Sequence, residues 1–218
     1  MRTFVKLCGL QTPEDAEKLE GIDADAAGMI FVPGRKRTVS PERAASIVSR
    51  LPAGIRSAGV FLNPTRDEVL RVWDRVELDL IQLHGLEEPE FCRWLKENLG
   101  GRIVKVFFAG KKSAFPPEAY ARWIDAVLID SVAGTDRGGT GKTFAWNLLP
   151  EEQKRWEAWG IPVWVAGGLH PDNVNRLLTE HLPHGVDTSS GVETNGEKDR
   201  DKMKRFVERV RRHDRRVH

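Results

Sequence analysis

Eight short apolar, β-branched runs recur along the chain: Thr3–Leu7, Ala26–Phe31, Ile55–Leu62, Leu78–Leu83, Ile103–Phe108, Ala126–Ile129, Val163–Ala166 and Val186–Thr188. Runs of this length and composition are what strands look like. Between them lie helix-start signals, Thr12-Pro13-Glu14-Asp15, Ser40-Pro41-Glu42, Asn63-Pro64-Thr65-Arg66-Asp67-Glu68 and His170-Pro171-Asp172-Asn173. Proline in a first helical turn gives up no needed donor, and carboxylates there favour the positive end of the helix. Ala44, Ile47, Val48 and Leu51 form one apolar stripe at helical spacing, and Phe91, Trp94, Leu95 and Leu99 another. The fifth and sixth helices carry the weakest signals, because Ser113-Ala114-Phe115-Pro116-Pro117 delays one and a glycine-rich stretch after Asp130 precedes the other. Strand–helix alternation fits a closed barrel or a doubly wound open sheet, and a count of eight selects a single (β/α)8 TIM barrel of the α/β class. Residues 1–218 read as one domain without a linker. Trp73, Trp94, Trp123 and Trp156 fall on expected helices, where packing against the barrel accounts for them.

Charge excludes some function classes. Lys and Arg number 34 against 32 Asp and Glu, a formal charge of +2, so there is no global basic field for nucleic acid, whereas a small anionic substrate remains compatible. The basic run Arg209 to Arg216 reads as a solvated helix end. Two cysteines, Cys8 and Cys92, are too few for a disulfide framework and lack zinc-site spacing, which points to a reducing compartment. With no apolar leader and no run approaching the roughly 20 residues of a membrane span, a cytoplasmic protein is expected.

In a (β/α)8 barrel, chemistry gathers where the strands end. Here those ends carry Cys8, Asn63, His84, Asp130, Gly167-Gly168 and Ser189-Ser190-Gly191. The last three loops have the make-up of a phosphate cradle: Asp136 to Lys142 with Gly139 and Gly141, then Gly167-Gly168, then Ser189-Ser190-Gly191. Glycine lets backbone N–H groups approach phosphate oxygens closely, although each loop alone could be a tight turn. Gly139-Thr140-Gly141-Lys142-Thr143 imitates the end of a nucleotide-binding P-loop, but Asp136 stands where that motif requires glycine. Cys8 shares a strand face with Phe4 and Lys6, and a neighbouring ammonium lowers a thiol's pKa from about 8.5, as a base would require. The competing reading is a small buried hydrophobe. For Asp130 the competing reading is a salt bridge to Lys6 or Lys105; for Asp187 that bridge is the preferred one. His84 reads as a substrate ligand or a hydrogen-bonded strand-end histidine. No His/Asp/Glu cluster argues for metal.

Taken together, Val5-Lys6-Leu7-Cys8-Gly9-Leu10, Asp79 to Gly85, Leu128-Ile129-Asp130-Ser131, Gly138 to Phe144, Val165 to Leu169 and Val186 to Glu193 resemble the phosphoribosylanthranilate isomerases in residues and order. The resemblance implies a cofactor-free and metal-free Amadori rearrangement of a phosphosugar substrate, with Asp130 as general acid, Cys8 as general base and Arg37 on the anthranilate carboxylate. It leaves monomer and homodimer both open. Two positions depart from the family pattern: Gly34-Arg35-Lys36 replaces the commoner Ser-Pro before Arg37, and Ala145 replaces an aspartate in the Lys-Thr-Phe run. The competing activities are the related histidine-pathway isomerase, whose acid and base are two aspartates, and a non-catalytic barrel that binds a phosphorylated metabolite.

Overall fold

In the computed structural model, which describes residues 2–130 and 146–217, eight parallel strands pair in sequence order and close on themselves as β1 joins β8. The strands are β1 (Phe4–Cys8), β2 (Ala26–Ile30), β3 (Arg56–Phe61), β4 (Leu80–Leu83), β5 (Arg102–Phe108), β6 (Ala126–Asp130), β7 (Val163–Ala166) and β8 (Gly185–Thr188). The helices are α1 (Pro13–Glu17), α2 (Pro41–Val48), α3 (Arg66–Trp73), α4 (Pro89–Asn98), α5 (Leu149–Glu157), α6 (Val174–His181) and α7 (Arg200–Val217). No helix among the described residues is long and apolar enough to cross a membrane.

The start signals act as expected at three helices. Thr12, Ser40 and Thr65 each accept the backbone N–H three residues on, and Asp15 and Glu68 reach back to complete capping boxes. After β5, only a 3₁₀ turn, Pro117–Ala119, forms before β6, so the expected fifth helix is not a full one. The prolines at 116 and 117 remove two donors, and no apolar stripe follows to bury.

Alternation along the strands divides the apolar core in two. Outward residues such as Val5, Leu7, Ile81, Ile103, Ile129 and Val165 meet the helices. Inward residues fill the barrel: Ala26, Ala58, Leu80, Val104, Leu128 and Trp164, with Phe4 packed on them. The Phe4 and Trp164 rings stack at 4.3 Å across the floor of the barrel.

The floor is also pinned by polar groups. The residue just before each even-numbered strand takes a backbone N–H from the strand on its left. Asp25 accepts from Val5 (2.8 Å), Asp79 from Ser57 (2.7 Å), Asp125 from Ile103 (2.8 Å) and His184 Nδ1 from Val163 (3.3 Å). These N–H groups lie at the entrance to the sheet, where the ladder has not yet begun, so a side chain supplies the missing acceptor. Arg211 of α7 draws the chain ends together beneath the floor, bonding Asp25 (2.6 Å), Asp214 (3.1 Å) and the carbonyls of Thr3 and Asp23. The expectation that the terminal basic run is solvated is therefore wrong at Arg211, which is buried between acidic partners.

Candidate active site

At the opposite end of the barrel, Cys8 closes β1 and Asp130 closes β6 on the inward face. Cys8 is buried and fits only because β2 carries Gly28 beside it. A Cβ on that glycine would lie 2.7 Å from Cys8 Sγ and 3.2 Å from Lys6 Nζ. Lys6, one step deeper, is paired to both oxygens of Asp187 at 3.1 Å. That is the salt bridge expected for Asp187. Lys105 is likewise committed, to Glu87 at 3.0 Å and to the carbonyl of Gly85 at 2.7 Å.

These pairings correct the electrostatic expectation for Cys8. Burial pushes the thiol up, and although Lys6 pulls it down, Asp187 cancels part of that pull, so the net direction is upward. Lys6 stays a firm cation, because Asp187 and Cys8 outweigh the cost of its burial.

Asp130 faces His84, whose Nε2 lies 3.6 Å from its Oδ2. Gln82, two residues earlier on the same strand face, places its amide nitrogen 3.3 Å from His84 Nδ1. An amide nitrogen only donates, so Nδ1 accepts and the ring proton sits on Nε2, directed at Asp130. The hydrogen-bonded strand-end histidine is thus what forms, bonded to Gln82 and standing 3.6 Å from the expected acid. Burial pushes the His84 imidazole down to about 4. An unfolded histidine protonates near 6.5, so between these values the unfolded chain binds more protons. The stability due to neutral His84 is present above about pH 6.5 and is lost as the pH falls towards 4. Titration of the imidazole by NMR should find it neutral at pH 5.5; a midpoint near 6.5 would refute this.

Two of the three glycine-rich loops can be followed. Gly167 and Gly168 both adopt positive φ, 90° and 65°, which other residues enter only with strain. After β8, Ser190–Val192 turns so tightly against the preceding loop that a Cβ on Gly191 would lie 1.9 Å from the Leu169 carbonyl oxygen. Thr188 donates to that same oxygen at 2.6 Å, joining the two loops. Gly191→Ala should force them apart and cost about 1–3 kcal/mol, read as a lower Tm; an unchanged Tm would mean the loops separate freely. Ser189 Oγ is buried and has no partner among the described residues. Gly139 and Gly141, with the imitation P-loop and Ala145, lie outside the described residues.

Arg37 is placed at the mouth, but its observed partner is Glu193, bound through two 2.7 Å hydrogen bonds. Glu193 also takes Lys198 Nζ at 2.7 Å. Sequence reasoning missed Lys198 altogether and named Glu193 only as part of a motif. The available signal was Asn195-Gly196, the strongest short-range mark of a hairpin. No group of three or more His, Cys, Asp or Glu suited to a metal occurs among the described residues.

Residues 5–209 match the family model described as N-(5'phosphoribosyl)anthranilate (PRA) isomerase. An N-(5'-phosphoribosyl)anthranilate isomerase from Clostridium acetobutylicum is 40% identical over 209 residues, 95% of this chain and 98% of that protein. Among solved structures, the dimeric phosphoribosylanthranilate isomerase of Thermotoga maritima, crystallised as generated monomers, superposes with a TM-score of 0.78 at 32% identity, covering 96% of this chain and 98% of that one. A phosphoribosyl anthranilate isomerase in complex with reduced 1-(o-carboxyphenylamino)-1-deoxyribulose 5-phosphate gives a TM-score of 0.76 at 32% identity, with the same coverage.

Proposed function

Since the chain belongs to the N-(5'-phosphoribosyl)anthranilate isomerase family, enzymes of tryptophan biosynthesis, we propose that Asp130 is its general acid and Cys8 its general base. The reaction is the Amadori rearrangement of N-(5'-phosphoribosyl)anthranilate to 1-(2-carboxyphenylamino)-1-deoxyribulose 5-phosphate. The observation that carries the assignment is that Cys8 and Asp130 both end strands on the inward face, at the same end of the barrel, with His84 Nε2 3.6 Å from Asp130.

In the first step Asp130 gives its proton to the furanose ring oxygen, and the sugar opens to a Schiff base. The His84 Nε2–H directed at Asp130 favours the carboxylate that this transfer leaves. Cys8, as thiolate, then removes the C2' proton, and the resulting enolamine tautomerises to the ketone. Lys6 and Lys198 both favour the thiolate, while burial and Asp187 oppose it. Each proton transfer contributes about 10²- to 10⁴-fold when acid or base sits within hydrogen-bond reach. No step calls for a cofactor or a metal.

In this reading the phosphate lies against Gly167, Gly168, Ser189, Ser190 and Gly191, with Gly139 and Gly141 of the sixth loop; the buried hydroxyl of Ser189 supports it as a donor without a partner among the described residues. Arg37 receives the anthranilate carboxylate, and His84 borders the sugar beside Asp130. The protein is read as one barrel domain over residues 1–218, cytoplasmic, acting as monomer or homodimer on a small anionic phosphosugar, with neither nucleic acid nor membrane as partner. Light scattering of the purified chain distinguishes the two assemblies. The test of the activity is the fluorescence decay of freshly generated phosphoribosylanthranilate on adding the enzyme. A folded protein that binds the compound without converting it would be a metabolite-binding barrel instead.

A further inference from the structure

Beyond β8 the chain forms a small hairpin, β9 (Glu193–Thr194) and β10 (Glu197–Lys198). Asn195 (φ 54°) and Gly196 (φ 85°) make the turn, both left-handed, as a two-residue turn matching strand twist requires. The pairing sets Glu193 directly opposite Lys198. Lys198 Nζ bonds Glu193 at 2.7 Å and the Ser189 carbonyl at 3.0 Å, and its side chain has no solvent exposure. Lys202 Nζ holds the Glu193 carbonyl at 2.7 Å. The base of the hairpin is thereby tied through Lys198 to the loop after β8 and through Glu193 to Arg37.

Arg37 meets Glu193 through Nε and Nη2, the side-on edge of the guanidinium. A guanidinium carries five N–H groups in a rigid plane and can bind carboxylates along more than one edge. Glu193 occupies the side-on edge and leaves the end-on pair, Nη1 with the second hydrogen of Nη2. Among the described residues no acceptor is recorded on Nη1, and the Arg37 side chain is 24% exposed against 5% for Glu193. Two cations and one carboxylate leave the cluster one positive charge in excess, so it is matched to a further anion. It also abuts the end of β1: a Cβ on Gly9 would lie 2.8 Å from both Arg37 Cδ and Ser189 Oγ. The Arg37 side chain therefore runs beside the residue that follows Cys8 and beside Ser189 of the proposed phosphate loops.

We propose that Glu193 and Lys198 are positioning residues, fixing Arg37 so that its open edge receives the carboxylate on the aromatic ring of the substrate. The β9–β10 hairpin then sets selectivity for a carboxylated aniline over a plain one. This rests on the isomerase reading above and deepens it. Glu193 works as a brace and not as a competitor, since it uses a different edge from the ligand.

The experiment compares two stable product analogues by calorimetry: reduced carboxyphenylamino-deoxyribulose 5-phosphate and the same compound without the carboxylate. The parent, Glu193→Gln, Lys198→Met and Arg37→Met are each titrated. The parent should bind the carboxylated compound at least 10-fold more tightly, the scale of one hydrogen-bonded charge. Glu193→Gln and Lys198→Met should lose most of that ratio while binding the second compound within about twofold of the parent; a hairpin that merely holds the fold would weaken both equally. Equal weakening, an unchanged ratio in Glu193→Gln, or a parent that does not discriminate would each overturn the proposal. If Glu193→Gln does not fold by circular dichroism, Glu193→Asp, which keeps the charge and shortens the reach, carries the same comparison. Failure of the isomerase reading shows separately, as a parent that binds but does not turn over phosphoribosylanthranilate.

Discussion

Asp130→Asn should lower kcat for phosphoribosylanthranilate by about 10²- to 10⁴-fold, with KM and Tm nearly unchanged. The amide has the size of the carboxyl and fills the same place beside His84, so the packing around β6 survives. What it lacks is an acidic proton for the ring oxygen. Cys8→Ser should show a loss of similar size for the opposite reason. A hydroxyl fits beside Gly28 as a thiol does, but its proton is held far too tightly for it to act as a base. Steady-state fluorescence kinetics on both variants, with circular dichroism to establish folding, checks the pair. A folded Asp130→Asn enzyme within tenfold of the parent would remove Asp130 from the acid's role, and a similarly active Cys8→Ser would do the same for Cys8 as base.

Arg211→Met should destabilise the protein by about 3–5 kcal/mol while leaving kcat alone. The guanidinium, 7% exposed, bridges Asp25 at 2.6 Å and Asp214 at 3.1 Å, both also buried. Methionine fills much of the volume but strands these carboxylates without their main counter-charge, and removing one partner of a buried ion pair costs that much. Arg2, which also pairs with Asp25, is half exposed and compensates little. For a chain of this length the loss corresponds to a fall in Tm on the order of 10 °C. Chemical denaturation is the measurement. A change below 1 kcal/mol would mean that water, reaching the floor, satisfies the freed carboxylates.

The barrel was legible because strand and helix announce themselves locally. Apolar runs give the strands, and Thr12, Ser40 and Thr65 give helix starts by a mechanism that needs only three neighbouring residues. Where the outcome depended on groups far apart in sequence, the reading fell short. Nothing near Arg211 in the chain reveals that Asp25 lies beside it, so a buried tie looked like part of a solvated basic tail. The Cys8 thiol was expected to be lowered by Lys6, which does share its face; the bridge from Asp187 to a barrel lysine was expected too, but burial, with that bridge drawing on the Lys6 charge, carries the thiol upward. The helix expected after β5 failed for a local reason that was available, the paired prolines at 116 and 117. The clearest lapse was Asn195-Gly196. Its hairpin signal was as plain as any helix cap, but attention to the motif ending at Glu193 stopped short of the turn that brings Lys198 back to it.

The stacked rings of Phe4 and Trp164 make the barrel a cup and not a pipe. A cup has one opening, so traffic through it takes turns: the ketone must vacate the mouth before another phosphosugar enters, and product and substrate exclude each other outright. Among the described residues packed side chains fill the floor, which leaves an enzyme docked beneath no way to draw off the product. Any hand-over to a following enzyme has to happen at the rim, face to face with the loops that admitted the substrate.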